Sequence, residues 1–305
     1  MVVRRSKRFF AILSAFIFIF TFAVSANAFD VDNKNEAPLM LIPGGMTFGV
    51  KFFTEGAIVL GTTGIETSSG VLSPAKDAGL KAGDIITRAG GESFKSANEL
   101  ISLVSGSGGN AIDLEFVRNG ETLSTTVVPV RDIESGDFKI GILVRDSTAG
   151  IGTVTYIDPK TNDFGGLGHG IYDVETGILL PLGSGAVVDV DITNVVKSLK
   201  NSPGELRGNF GALAKGELWS NSEEGVFGTF YEIPQTHYNP IPIARRGDIS
   251  TGKAHILTTL EDGNIEEYEI LIENIYESSG STKNFLVCIT DERLLEQTGG
   301  IVQGM

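Results

Sequence analysis

His169 sits in Phe164-Gly-Gly-Leu-Gly-His-Gly170, where flanking glycines leave an imidazole open to an approaching substrate. A turn histidine without a role is the competing reading. Asp291 follows the apolar run Asn284 to Thr290 and so lies at the end of an expected strand, a placement that suits an acid orienting a histidine tautomer. It also suits an N-cap for Glu292 to Gln297, and the two roles are compatible. The chain then reads Thr298-Gly-Gly-Ile-Val-Gln-Gly-Met305, a glycine-rich stretch whose N–H groups, Gly304 among them, can turn toward a developing oxyanion. Base, acid and oxyanion loop in this order are the parts of an acyl-transfer site, and the expectation is a chain that stops just short of its nucleophile.

Other reactive residues do not assemble into a rival site. His237, beside a proline loop, is expected in solvent, and His255 in Ala254-His-Ile-Leu257 is expected to point outward from a strand. The single cysteine, Cys288, is expected to be a buried small hydrophobe. The histidines lack ligand spacing, so neither a metal nor any other cofactor is expected. Gly-Ser-Gly at Gly106 to Gly108 and Gly183 to Gly185 lacks the full nucleophile-elbow pattern and reads as turns.

The elements that must hold these residues are short strands. Thirty-nine glycines among 305 residues, frequent Val, Ile and Thr runs and few helical periods favour a mainly β chain, and the length favours two domains. A formal net charge of −14 argues against nucleic acid and anionic membrane surfaces as partners. The first residues are different: Arg4, Arg5, Lys7 and Arg8 precede the apolar run Phe9 to Val24, and Ala26-Asn27-Ala28 is a small-x-small site. Residues 1–28 are therefore expected to be a signal peptide or a membrane anchor, with membrane contact through residues 9–24, and the protein is expected to be exported. One cysteine excludes an internal disulfide in the exported chain.

Residues 29–43 read as a linker and 44–130 as a first domain. Ser96 with Glu99 forms a capping box for a helix to Val104, and Asn119-Gly120 between two alternating runs is a hairpin turn. Ser73-Pro-Ala-Lys-Asp-Ala-Gly-Leu-Lys-Ala-Gly-Asp-Ile-Ile86 resembles the Ala-Gly-Leu-x-x-Gly-Asp-x-Ile element of PDZ domains, which bind peptides by strand addition. Thr47, Phe48, Gly49 and Val50 are the expected carboxylate loop of that domain; a plain turn after Pro43 is the alternative. Beyond a charged join, Arg131 to Lys139, strand runs from Ile140 to Thr290 suggest a barrel or sandwich.

Several strings together resemble the stage IV sporulation protein B peptidases. They are Val144-Arg-Asp-Ser-Thr-Ala-Gly-Ile-Gly-Thr-Val154, Gly166-Leu-Gly-His-Gly-Ile-Tyr-Asp173, Phe227-Gly-Thr229, Ile289-Thr-Asp-Glu-Arg-Leu-Leu295 and Thr298 to Met305. The resemblance implies a PDZ domain followed by a trypsin-like double β-barrel serine peptidase domain, 131–305, incomplete at its C-terminal end. It implies His169 as general base, Asp291 as orienting acid, Gly304 at the oxyanion hole and a nucleophilic serine directly after Met305, so that the chain itself is expected to be inactive. It also implies a peptide or protein substrate, in the form of a membrane-bound sporulation regulator whose cleavage triggers a late sigma factor, together with self-cleavage, in the space between mother cell and forespore. A non-catalytic PDZ adaptor is the alternative function.

Overall fold

The computed structural model describes residues 38–236, 238–260, 263–276 and 284–305. The export segment 1–28, the linker as far as residue 37 and His237 lie outside the described residues. Strand β1 (Met40–Pro43) passes through Gly44-Gly45 into the long strand β2 (Thr47–Thr62). Then come the hairpin β3 (Ile65–Thr67) and β4 (Gly70–Leu72), the single-turn helix α1 (Pro74–Asp77), β5 (Ile85–Ala89), β6 (Glu92–Ser93) and helix α2 (Ala97–Gly106). Two further hairpins follow, β7 (Ile112–Arg118) with β8 (Glu121–Val127), and β9 (Val130–Arg131) with β10 (Phe138–Lys139). Strand β11 (Ile142–Ile157) returns antiparallel along β2, from Ile142 opposite Thr62 to Thr153 opposite Thr47.

Local chemistry accounts for the elements between β2 and β11. Ser96 Oγ accepts the Glu99 N–H at 3.2 Å and Glu99 Oε2 accepts the Lys95 N–H at 2.7 Å, so α2 begins where its capping residues are. Asn119 and Gly120 both take positive φ, at 52° and 80°, which matches the twist of β7 and β8. Asp84, almost fully buried, accepts from the Lys81 N–H and from Arg118 Nε and Nη2, at 2.6 to 2.8 Å, and this ties the Gly83-Asp84 turn to the end of β7. One apolar core joins Leu80, Ile86, Leu100, Val104, Leu114 and Phe116.

After β11 the chain forms β12 (Asp163–Gly166), β13 (Leu182–Val196), β14 (Gly204–Ser222) and β15 (Gly225–Phe230). The pairings run β2, β11, β12, β15, β14, β13 and back to β2, which closes six antiparallel strands into a barrel. Phe48, Val50 and Phe52 alternate inward along β2, and the Phe164 ring packs edge-on to Phe48 at 5.6 Å and against Phe230 at 4.5 Å. Short β16 (Ile241–Pro242) pairs with β1, while β17 (Gly252–Thr259), β18 (Ile265–Ile275) and β19 (Phe285–Ile289) form a separate antiparallel sheet. Helix α3 (Glu292–Thr298) leads to β20 (Val302–Gln303), which pairs in parallel with the start of β14. Another core collects Ile192, Leu206, Leu260, Tyr268, Leu294 and Val302, so β13 and β14 serve two cores at their opposite ends.

The fold is mainly β, but its internal boundary differs from the expected 130/131 division. The core around α2 takes Ala57 and Val59 from the second half of β2 and Ile140, Ile142 and Val144 from the segment at the start of β11. The first half of β2 contributes Phe48, Val50 and Phe52 to the barrel. The α2 domain is thus an insertion at one end of the β2–β11 ladder, and residues 44–56 belong to the barrel. Cys288 is exposed rather than buried, because β19 lies at the edge of its sheet.

Candidate functional site

The loop after β12 carries His169, and three close contacts fix it. A Cβ on Gly170 would come within 2.4 Å of Leu179 and 2.6 Å of the Ser222 carbonyl oxygen, so this glycine serves close packing rather than substrate access. Asn221 on β14 accepts the Ile171 N–H and donates to the carbonyls of Ile171 and Leu180, at 2.8 to 3.0 Å. His169 is exposed, and its Nδ1 lies 2.9 Å from the Gly170 carbonyl oxygen. A carbonyl oxygen only accepts, so in the neutral ring Nδ1 carries the proton and Nε2 has the lone pair, the tautomer a general base needs.

His169 and Gly304 line the same cleft, of about 330 Å³, whose walls include Thr148 to Ile151 of β11 and Gln303. Gly304 has φ +90° and approaches so closely that a Cβ there would lie 2.9 Å from the Ile151 carbonyl oxygen. Thr153 Oγ1 donates to the Gly304 carbonyl at 2.5 Å. The end of the glycine-rich segment is thereby pinned beside the imidazole.

Asp291 is elsewhere. It caps α3, accepting the Arg293 N–H at 2.9 Å, and holds Arg293 through Nε at 3.2 Å and Nη2 at 3.0 Å. The hydrogen bond from Arg293 holds its carboxyl below the usual range. The N-cap role is formed; among the described residues no hydrogen bond or ion pair joins Asp291 to His169, and it is the carbonyl of Gly170 that meets Nδ1. His255 is half exposed and pairs with Glu267 at 3.3 Å, away from the cleft.

Thr47, Phe48, Gly49 and Val50 correct a second expectation. They lie within β2, paired with β11 throughout and with β13 at Gly49 and Val50, and Phe48 and Val50 are each 2% exposed. Strand residues with both edges taken, as at Gly49 and Val50, cannot accept a peptide, and the segment is strand rather than loop. Gly49 is required by packing, since a Cβ would meet Phe210 at 2.6 Å. The open groove lies instead between α2 and the stretch Phe138 to Val144, a space of about 450 Å³ floored by Leu100, Val104, Ile140 and Ile142. Gly141 turns there with φ +74°, and its Cβ would strike the Thr63 carbonyl oxygen at 2.3 Å. The sequence signal for this groove was Lys139-Ile-Gly-Ile-Leu-Val144, apolar residues about a glycine leading into a strand.

A buried acid next to the histidine also escaped the sequence reading. Asp173 has a fully buried carboxylate that accepts from Arg145 Nη1 at 2.7 Å and from the N–H and hydroxyl of Thr176, each at 2.8 Å. Burial alone would raise its pKa, but the Thr176 bonds and the Arg145 guanidinium outweigh burial and lower it. Arg145 also grips Glu175 through both terminal nitrogens, at 2.5 and 2.9 Å. The loop that carries His169 is thus clamped to β11 at the point where β11 passes from one core to the other.

Residues 136–305 match the profile of the SpoIVB peptidase S55 family, and residues 68–118 match that of a PDZ domain. A protein of Lactococcus lactis subsp. lactis (strain IL1403) named as a zinc metalloprotease is 31% identical over 115 residues, 37% of this chain. The chain spans 26% of the length of that curated relative. The crystal structure of the PDZ domain of an SdrC-like protein from Listeria monocytogenes shares 24% identity, covering 30% of this chain and 87% of that one, at a TM-score of 0.25. With more than half of its residues matched, including His169, Asp291 and Gly304, the chain belongs to the SpoIVB peptidase S55 family, a family of serine peptidases.

Proposed function

We propose that the cleft of His169 and Gly304 is the peptide-cleaving site, with His169 Nε2 as general base and then general acid, and the Gly304 loop as oxyanion hole. The nucleophile is the serine that the family resemblance puts after Met305, and self-cleavage belongs to the same activity. One observation carries this reading: the imidazole and the end of the glycine-rich segment share one cleft. The serine hydroxyl gives its proton to Nε2 as it attacks the scissile carbonyl, and Nε2 returns the proton to the leaving amine. Gly170 takes over the fixing of the tautomer, while Asp291 anchors α3.

The substrate is a membrane-bound regulatory protein whose cleavage in the space between mother cell and forespore triggers activation of a late sigma factor; the enzyme reaches that space by export, anchored or cleaved at residues 1–28. This part rests on the resemblance alone. A fluorophosphonate label should react with the protein carrying the residues that follow Met305 in its reading frame, and His169→Gln should reduce labelling and peptide cleavage by about three orders of magnitude or more. Labelling indifferent to His169→Gln would refute the assignment.

A further inference from the structure

We infer that the outer edge of β11 is one continuous docking track, on which a single extended internal segment of a protein substrate, bearing a basic residue at one end, runs from the α2 groove to the His169 cleft. This rests on the peptidase reading above and adds to it the chemistry and register of the substrate. The edge is the first observation. From Ile142 to Gly152 one side of β11 is paired with β2, and among the described residues no strand pairs with the other side until β12 joins at Val154. At one end this open edge borders the groove at Ile142 and Val144; at the other, Thr148 to Ile151 wall the cleft. An added strand would find an unpaired edge on either side of the bend at Asp146, whose own carbonyl is taken by Thr54 Oγ1.

The charge of the groove identifies the occupant. Its mouth holds Glu66, Asp132 and Glu134 against one cation, Lys139. Lys139 is already engaged: its Nζ donates to Asp132, which also accepts from Ser135 Oγ at 2.8 Å. These bonds, that from Lys139 foremost, lower the Asp132 pKa to about 2, so the carboxylate is ionised near neutral pH. Glu66 and Glu134 are exposed and, among the described residues, neither lies within ion-pair distance of a cation, although Glu134 acts on Lys139 at longer range. A free chain terminus with its carboxylate would meet an excess of negative charge here, three carboxylates against one lysine, whereas an internal Arg or Lys would complement it. Apolar Leu100, Ile101, Val104 and Phe138 then receive the alternate side chains of the same segment.

The strand sets the register. Ile142 and Ile151 are nine positions apart, at most about 30 Å at ~3.3 Å per residue, so the basic residue falls about eight to ten residues from the scissile bond. Antiparallel addition, the sense of every strand pairing along β11, puts it on the C-terminal side of that bond.

The test uses the full chain and a peptide of roughly fifteen residues, acetylated and amidated, with Arg near its C-terminal end and p-benzoylphenylalanine about nine residues N-terminal to the Arg. Binding by fluorescence anisotropy should weaken about threefold to tenfold in the Glu66→Gln, Glu134→Gln double variant and by a similar factor when the peptide Arg becomes Glu. Irradiation should join the peptide to Thr148 to Ile151 or to His169 to Tyr172. Tighter binding of the free-carboxylate peptide, unaffected by the double variant, would overturn the inference in favour of terminus capture. Cross-links confined to α2 would also overturn it, since groove and cleft would then be separate sites. Neither readout requires hydrolysis, so loss of fluorophosphonate labelling with the cross-links intact would count against the peptidase reading alone.

Discussion

Replacing Asp173 by Ala removes the acid that clamps the His169 loop to β11. The carboxylate is fully buried and receives one guanidinium bond and two bonds from Thr176. Removing one partner of a buried pair costs about 3–5 kcal/mol when the other charge is stranded. Arg145 is not stranded, because Glu175 still holds it, so the lower end, about 3 kcal/mol, is expected. For a chain of this size, with an unfolding entropy of about 2.1 cal/mol/K per residue, that corresponds to a fall of about 5 °C in Tm. Trp219, the single tryptophan, stacks on Phe227 at 5.7 Å in the barrel, so its emission reports unfolding of the part concerned. The folded pKa of Asp173 is depressed, so its contribution is complete above the unfolded value of about 3.9 and is lost as pH falls through the folded value. The gap between wild type and Asp173→Ala should therefore be constant from neutral pH down to the carboxylate range and close only in acid. A variant melting within about 2 °C of wild type, or a gap that closed near neutral pH, would refute the clamp.

Asp291→Asn keeps an N-cap and the fold of α3; peptide cleavage by the labelling-competent form should stay within about tenfold of wild type, and a loss near 10⁴ would restore the acid to the triad. Gly141→Ala should destabilise the groove by about 2 kcal/mol, read from urea midpoints, because φ +74° and a 2.3 Å approach to Thr63 leave no room for Cβ. A fragment of residues 57–145 should unfold cooperatively in urea, whereas residues 44–130 should not, since the latter lacks Ile140, Ile142 and Val144 and exposes the barrel half of β2. Equal cooperativity in the two fragments would show that the boundary is misplaced.

What the sequence disclosed was local chemistry. The N-cap at Ser96, the turn at Asn119-Gly120 and the Gly83-Asp84 turn each depend on residues within a few positions of one another and formed where expected, with Glu99 reaching the Lys95 N–H instead of that of Ser96. Thr47 to Val50 failed for the opposite reason. Its glycine and its place after Pro43-Gly44-Gly45 suggest a loop, but strand pairing with residues about 100 and 140 positions away decides its state. The role of Asp291 was left open between cap and acid because both need the same residue at the same strand end. Asp173 was part of a quoted motif, yet its burial comes from Arg145 and Thr176 across a loop, which no spacing reveals.

The junction between the two cores bears directly on whether a fixed docking register is physically reasonable. The β2–β11 ladder shifts register there, with Arg145 opposite Ile58 and Ser147 opposite Phe53, so β2 bulges through Thr54 to Ala57. A bulge of this kind is where a hinge would be sought. The polar groups at the bend, however, are tied to different elements. Thr54 Oγ1 lies 2.7 Å from the Gly56 carbonyl and 3.1 Å from that of Asp146; Asp146 Oδ2 accepts the N–H of Ala97 at the start of α2, at 2.6 Å; and Arg145 holds Asp173 and Glu175. Opening a hinge would break charge-assisted bonds to α2 and to the His169 loop together, so the bend acts as a fixed corner. A fixed corner sets the distance from groove to cleft, and a substrate laid along β11 is then measured rather than merely captured.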